Sequence, residues 1–339
     1  MYSDEFFMER CIQLAKLGKG KVAPNPLVGS IIVHQGKIIG EGYHEKYGFA
    51  HAEVNAINSV KDPSLLKEST IYVSLEPCAH YGKTPPCALR LTQIKIKRVV
   101  IGSFDSFAEV NGKGIQMLRE KGIEVKLGVH EEACRALNKH FFTFNENSRP
   151  YILLKWAQSP DGFIDKEGKQ HWISSPETQA VVHKLRSEYQ GILVGRKTAQ
   201  NDNPSLTVRA YKGTNPIRIV IDSQLKLNPS LLLFNDEAQT IILNKKTHSI
   251  SGNLSWIKLP EINPETIVET LYKLGIQSVI IEGGGTTLQS FIDSGLWDEA
   301  MVIQGNNPLI NGTKGPRINK QPNQQADFFG DLISTYYNV

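Results

Sequence analysis

The apolar positions change period repeatedly along the chain, and each change predicts an element. Phe7, Cys11, Leu14, Ala15 and Leu17 recur at helical spacing behind Ser3-Asp4 and stop at Gly18, so a capped helix is expected there. Val28–His34 and Lys37–Glu41 flank Gln35-Gly36 as the arms of a hairpin. A helix starting near Ala50 would carry Val54, Ala56 and Ile57. Strands are expected at Thr70–Ser74, Arg98–Gly102 and Glu124–Gly128, with helices around Leu89–Ile94 and Gly114–Lys121 between them. Glu131–Phe144 predicts one further helix, with Ala133, Leu137, Phe141 and Phe144 apolar.

The polar stretch Asn145–Pro150 ends in proline and marks a domain boundary. Beyond it the alternation resumes. Strands are expected at Tyr151–Ala157, Gly191–Val194, Ile217–Asp222, Thr240–Leu243 and Ser278–Ile281, and a turn at Ser159–Gly162. Helices are expected at Pro176–Glu188, Pro264–Leu274 and Leu288–Ser294. Strands alternating with helices imply α/β layering on both sides of the boundary, hence an α/β fold class with domains at 1–146 and 150–339. The length of 339 residues agrees with two domains of ~150 residues each.

Composition adds exclusions. Hydrophobic residues at 40% and charged residues at 21% describe an ordinary globular chain. A net charge of +4 is too mild to argue for nucleic acid and suits small anionic ligands. The acidic start lacks a signal peptide's basic region, and no apolar run approaches the ~20 residues that span a membrane. Cys11, Cys78, Cys87 and Cys134 do not suggest a disulfide framework in a chain this long. The expected compartment is the cytoplasm, with a small-molecule substrate and neither a membrane nor a nucleic-acid partner.

The chemistry concentrates in His51-Ala52-Glu53 and its distant complement Glu76-Pro77-Cys78…Pro86-Cys87. A His-x-Glu followed by Pro-Cys and a second Cys is the ligand pattern of a zinc-dependent base deaminase. His51, Cys78 and Cys87 supply three zinc ligands, one zinc per chain, and leave a fourth position for water. Glu53 remains as the proton carrier. Cys87 would sit at a helix N-terminus, where the dipole favours a thiolate. In the second half, Glu282-Gly283-Gly284-Gly285-Thr286 follows a strand and opens a helix, so its backbone N–H groups could hold a phosphate. It is not a G-x-G-x-x-G pattern.

Longer motifs narrow the reading. The first half carries Ala23-Pro24-Asn25-Pro26-x-Val28-Gly29, His44-x3-Gly48-x2-His51-Ala52-Glu53-Val54, and Ser74-Leu75-Glu76-Pro77-Cys78-x-His80-x-Gly82-Lys83-Thr84-Pro85-Pro86-Cys87. It resembles the deaminase domain of the bifunctional riboflavin-biosynthesis deaminase/reductase family, within the cytidine-deaminase-like superfamily. That resemblance implies an α/β/α layered domain in which Asn25, His44, His80 and Lys83 contact the pyrimidine and ribose-phosphate. The chain departs from the family at Asp105-Ser106-Phe107-Ala108, where Asp-Pro-Asn-Pro is common.

The second half carries Lys155, Ser159-x-Asp161-Gly162, Trp172-Ile173, Arg186, Gly195, Thr198-x3-Asp202-Asn203-Pro204-x-Leu206-Thr207-x-Arg209 and Ile221-Asp222-Ser223. It resembles the reductase domain of the same family, which is dihydrofolate-reductase-like and uses NADPH. The resemblance implies substrate contacts from Lys155, Gln170, Arg186, Leu206, Arg209 and Glu282. It assigns cofactor contacts to Ala157, Trp172, Thr198, Asp202, Ser223, Gly283, Gly284 and Gly285, and implies a homo-oligomer, dimer or tetramer. The tail from Asn306 departs from the family pattern.

Two rivals compete with this reading. A transfer-RNA base deaminase with a non-reductase second domain predicts a basic, aromatic-rich surface. A zinc-binding scaffold needs no Glu53. Neither explains the second half.

Overall fold

The computed structural model describes residues 2–81, 85–107, 110–166 and 171–338. The chain divides into two compact units, Met1–Asn147 and Ser148–Val339.

The first unit runs α1 (Asp4–Ala15), β1 (Gly29–His34), β2 (Lys37–Tyr43), α2 (Ala52–Asn58), β3 (Thr70–Leu75), α3 (Cys87–Gln93), β4 (Arg98–Ser103), α4 (Lys113–Glu120), β5 (Glu124–Leu127), α5 (Glu131–Leu137) and α6 (Lys139–Asn147). Its five strands are ordered β2-β1-β3-β4-β5. β1 is antiparallel to both neighbours, whereas β3, β4 and β5 are parallel.

Period-two alternation builds the layers. Ile32, Ile71, Val73, Val99 and Ile101 face one side, where Ala56 of α2, Leu91 of α3 and Leu118 of α4 cover them. Their neighbours Ile31, Val33, Tyr72 and Val100 face the other, under Met8, Cys11 and Ile12 of α1 and Cys134 of α5. Helix and sheet meet closely at two glycines. A Cβ on Gly29 would lie 2.0 Å from the Cys11 carbonyl oxygen, and one on Gly42 would lie 2.3 Å from the Ala56 nitrogen. Helix backbone therefore rests directly on strand backbone at both points.

Two local expectations need correction. Leu17 does not share the buried face of α1: it falls in a following 3-10 turn and is exposed. The helix expected over Glu131–Phe144 is two helices, broken at Asn138. There the Asn138 amide accepts from the Leu27 N–H at 2.7 Å and donates to the Leu27 carbonyl at 2.9 Å. A side chain that pairs with a distant backbone segment competes with the helix it sits in. α6 then continues to Asn147, through half of the stretch expected to be linker.

The second unit runs β6 (Tyr151–Gln158), α7 (Pro176–Glu188), β7 (Gly191–Gly195), α8 (Arg196–Asp202), β8 (Ile217–Ile221), β9 (Thr240–Asn244), β10 (Ser249–Ser251), β11 (Leu254–Lys258), α9 (Pro264–Lys273), β12 (Ser278–Gly283), α10 (Gly285–Ser294), β13 (Glu299–Gln304), β14 (Gln324–Phe328) and β15 (Asp331–Tyr337). The sheet order is β10-β11-β9-β8-β7-β12-β6-β13-β15-β14. Strands from β11 to β13 in that order are parallel, and antiparallel strands close both ends.

Alternation again divides the core. Ile152, Leu154, Leu193, Ile219 and Ile281 pack with α9 and α10, whereas Leu153, Ile192, Val194, Val220 and Ile280 pack with Leu185 of α7 and Ala199 of α8. At the start of α7, Ser175 accepts from Thr178 N–H, and the Ser175 N–H donates to Asp331 of β15 at 2.8 Å. Among the described residues no helix is long and apolar enough to cross a membrane.

Candidate functional site

In the first unit, three element ends deliver the candidate metal ligands. His51 is the N-cap residue of α2, in extended conformation, rather than a member of its first turn. Cys78 follows the C-terminal end of β3, and Cys87 opens α3. The His51 Nδ1 lies 3.5 Å from Cys78 Sγ and 3.4 Å from Cys87 Sγ, and the three donor atoms all fall within 4.8 Å of one another. A tetrahedral zinc with bonds of ~2.0–2.3 Å separates its ligands by about 3.5 Å, so the donor set fits that ion in both type and spacing. The Cys87 N–H donates to Cys78 Sγ at 3.3 Å, which steadies a thiolate there. The hydrogen bond from the Cys87 thiol, and next that from His51, lower the Cys78 thiol against the effect of burial.

Glu53, two residues after His51, is buried and interacts electrostatically with Cys78, Cys87 and His51. Burial first, then the negative charge of Cys78, push its carboxyl up to about 7, with His51 opposing. His44 lines the same site. Its Nδ1 meets the Ala50 carbonyl at 3.0 Å, its Nε2 meets Asn25 Nδ2 at 3.0 Å, and its ring lies 5.3 Å from that of His51. The carbonyl can only accept, so Nδ1 carries the hydrogen and Nε2 accepts from the Asn25 amide.

A further carboxylate shapes this site from behind. Glu76 is buried between β3 and Pro77, and it accepts four backbone N–H groups. Oε1 takes those of Gly114 (3.0 Å) and Ile115 (3.2 Å), while Oε2 takes those of Gly112 (3.1 Å) and Asp105 (3.4 Å). These amides belong to the start of α4 and the segment before it, so Glu76 ties that segment to the cysteine loop. A Cβ on Gly114 would lie 2.1 Å from the Pro77 carbonyl oxygen, which shows how tightly the two meet.

In the second unit a charged cluster gathers at the C-terminal ends of the central parallel strands. Glu282 follows Ile281, which is level with Leu154, so Glu282 stands beside Lys155 of the neighbouring strand. Arg186 of α7 grips Glu282 with both arms, Nε to Oε1 at 3.1 Å and Nη2 to Oε2 at 2.7 Å. Burial raises the Glu282 carboxyl, but the charges of Arg186 and Lys155 outweigh it and hold the group at about 2. Burial also keeps Lys155 below its ordinary range. Arg209 donates to Ser205. Beside the cluster, Gly283 has φ +135° and a Cβ on Gly284 would lie 2.9 Å from Thr198 Oγ1. The turn leads into the N-terminus of α10, where backbone N–H groups can receive a ligand's phosphates.

Known proteins resemble both halves. Residues 1–103 match the cytidine and deoxycytidylate deaminase zinc-binding region, and residues 150–333 match the RibD C-terminal domain. The riboflavin biosynthesis protein RibD of Aquifex aeolicus is 42% identical over 88% of this chain and 86% of its own. That of Bacillus amyloliquefaciens is 38% identical over 93% and 87%. The chain belongs to the RibD family. A Thermotoga maritima structure described as a diaminohydroxyphosphoribosylaminopyrimidine deaminase/5-amino-6-(5-phosphoribosylamino)uracil reductase superposes with a TM-score of 0.89 at 33% identity, covering 98% of this chain and 97% of that one. As a RibD-family member the chain is a two-domain deaminase/reductase of riboflavin biosynthesis, with a zinc-binding deaminase region followed by an NADPH-dependent reductase domain. The deaminase/reductase reading is thereby favoured over a base deaminase with a non-reductase second domain.

Within this RibD-family chain, the structure brings His51, Cys78, Cys87, Glu53, His44 and Asn25 together. The His80 ring packs on Phe107 at 5.9 Å. Lys155, Arg186 and Glu282 form one cluster, with Arg209 close by. Arg186 is already committed to Glu282 through two of its nitrogens. Thr198 meets the Gly283-Gly284-Gly285 turn. Asp202 ends α8, Ser223 follows β8, and Ala157 lies on β6. Leu206 is buried at φ +54°, whereas Trp172 is 65% exposed. Lys83 and Gln170 lie outside the described residues. Sequence reasoning gave no role to Glu76, although the position directly before Pro77-Cys78 was a signal, nor to His183.

Proposed function

We propose that the two units act in turn on one pyrimidine ribose-phosphate. The first would hydrolytically deaminate a diamino-ribosylamino-pyrimidinone 5′-phosphate. The second would reduce the ribosyl group of the product to ribityl. The observation that carries the reading is the convergence of His51, Cys78 and Cys87 on a zinc-sized space with Glu53 buried against it.

In the first unit His51, Cys78 and Cys87 would hold zinc, which when bound supplies Lewis acidity toward water. Glu53 takes the proton from the attacking water and returns it to the departing amine nitrogen, so that ammonia leaves as oxygen joins the ring carbon. The thiolate charge that lifts Glu53 is balanced once a divalent cation is present. Asn25 and His44 orient the ring. The Ala50 carbonyl fixes His44 in one tautomer, Asn25 donates to its other ring nitrogen, and His80 and Lys83 complete the contacts.

In the second unit NADPH supplies the hydride. Thr198, Asp202, Ser223, Ala157, Trp172 and the Gly283-Gly284-Gly285 turn would hold the cofactor. Lys155 and Glu282 place the sugar, and Arg186 keeps Glu282 ionised and still. Gln170, Leu206 and Arg209 complete the substrate contacts. The chain would work in the cytoplasm as a homo-oligomer, which light scattering on the purified protein tests.

The functional test measures ammonia release and NADPH oxidation on the same substrate. Ammonia should appear without NADPH, and NADPH should be consumed only after ammonia appears. Oxidation of NADPH by a deaminated substrate must persist when zinc is removed. Its loss would overturn the assignment of separate sites.

A further inference from the structure

One buried group in the reductase cluster has no role in the reading above. His183 lies three residues before Arg186 on α7, so the two side chains share a helix face. It is 7% exposed. The Arg209 backbone N–H donates to its Nδ1 at 3.0 Å. A backbone amide can only donate, so Nδ1 is the bare acceptor and the neutral ring carries its hydrogen on Nε2. Burial, then the charges of Arg186 and Arg209, hold the imidazole below its ordinary range, so it stays neutral at physiological pH. Nε2 has no hydrogen-bond partner among the described residues.

The charge around it is lopsided. Lys155, Arg186 and Arg209 face His183 together with a single carboxylate, Glu282. Both oxygens of that carboxylate already accept from Arg186. What the protein leaves open is therefore a fixed donor beside surplus positive charge. A sugar hydroxyl gains little from such a place, because it needs acceptors as much as donors. A phosphate monoester carries only acceptors and negative charge.

We infer that His183 binds substrate in the reductase unit, its Nε2–H donating to the phosphate of the sugar-phosphate alongside Arg209. This rests on the reductase reading. The competing role for His183 is only to brace the Arg209 loop through Nδ1.

Two substitutions separate the roles. His183→Asn keeps an acceptor near the Nδ1 position and removes the donor at Nε2. His183→Gln places a donor near Nε2 and removes the acceptor. Steady-state NADPH oxidation would be measured in the full chain with the deaminated ribosyl phosphate, and with the same compound after phosphatase treatment. Melting temperature and NADPH binding report folding. His183→Asn should raise KM about tenfold to a hundredfold for the phosphorylated compound, the range for a lost hydrogen bond to a charged group. It should change KM less than about twofold for the dephosphorylated one. His183→Gln should recover most of that KM while melting lower. A wild-type KM in His183→Asn, or equal losses on both compounds, overturns the inference and leaves the reductase reading standing. If wild-type protein never oxidises NADPH with this substrate, that reading fails and takes this one with it.

Discussion

Replacing Glu76 tests whether the deaminase site is held from behind. Its carboxylate accepts the N–H groups of Gly114, Ile115 and Gly112 within 3.2 Å, and that of Asp105 at 3.4 Å. The residue is 3% exposed, so water cannot reach these donors without opening the segment. Hydrogen bonds to a charged acceptor contribute roughly 1.5–3 kcal/mol each, so the three good ones set an upper bound of about 5–9 kcal/mol. Bonds sharing one acceptor are not additive, and the segment will relax, which brings Glu76→Ala to about 3–5 kcal/mol. Glu76→Gln should cost nearly as much. It keeps one oxygen, but its amide turns two hydrogens toward amides that are themselves donors. In a unit of this size ~1 kcal/mol moves the melting point by about 2–4 °C, so the transition of the first unit should fall by roughly 6–20 °C. The assay is scanning calorimetry of the full chain, with the transition of the second unit as internal reference. Zinc loss to a chromogenic chelator should quicken in parallel, because Pro77 and Cys78 follow directly. A Glu76→Gln protein with the wild-type melting profile and zinc release would refute the reasoning.

Other expectations follow from the same geometry. Cys78→Ser and Cys87→Ser should each release zinc, and elemental analysis that finds metal retained in both would remove them as ligands. Glu53→Gln should keep its zinc yet deaminate about 10²–10⁴-fold more slowly, the usual worth of a general acid/base; near-normal ammonia release would show that another group moves the proton. Glu282 is depressed to about 2 in the folded state, so the stability it confers is complete above its unfolded value of ~4.3 and is lost as pH falls from there through about 2. Arg186→Met should therefore destabilise the second unit at pH 7 by about 3–5 kcal/mol, the cost of stranding a buried charge. That deficit should shrink as acid protonates Glu282, and denaturation curves showing a deficit constant with pH would contradict it.

Much of this was legible because local pattern and tertiary need agree. The strands of the first unit and β6, β7, β8, β9 and β12 of the second announce themselves through residues such as Ile71 and Ile280, whose neighbours alternate between two buried faces. The candidate metal cluster is legible because metal chemistry admits few residue types and the spacing is distinctive. What stayed hidden depends on partners far away in sequence. Asn138 breaks a helix only because Leu27 is there to receive its amide. Arg218 reads as a surface residue, yet it is 0% exposed and spends its hydrogen bonds on Thr240, Asn235 and the carbonyls of Leu232 and Ala238. Helix α8 and the strands β10, β11, β13, β14 and β15 are not expected from the sequence; α8, β10 and β14 carry too many polar residues for periodicity to reveal them. His183 looks like one polar residue on an amphipathic helix until Arg209 is seen to fix its tautomer.

The contacts at Gly29 and Gly42 have a genetic consequence. Every amino acid reachable from a glycine codon by one base change carries a Cβ. At these two positions that single carbon would collide with helix backbone at 2.0 Å and 2.3 Å, and backbone cannot rotate aside as a side chain can. Drift within the lineage is thus barred at both codons whatever the replacement, while the apolar residues around them can exchange with one another at modest cost. The lines along which α1 and α2 meet the sheet should be among the slowest-changing features of the first unit outside its candidate metal cluster, although neither glycine belongs to that cluster.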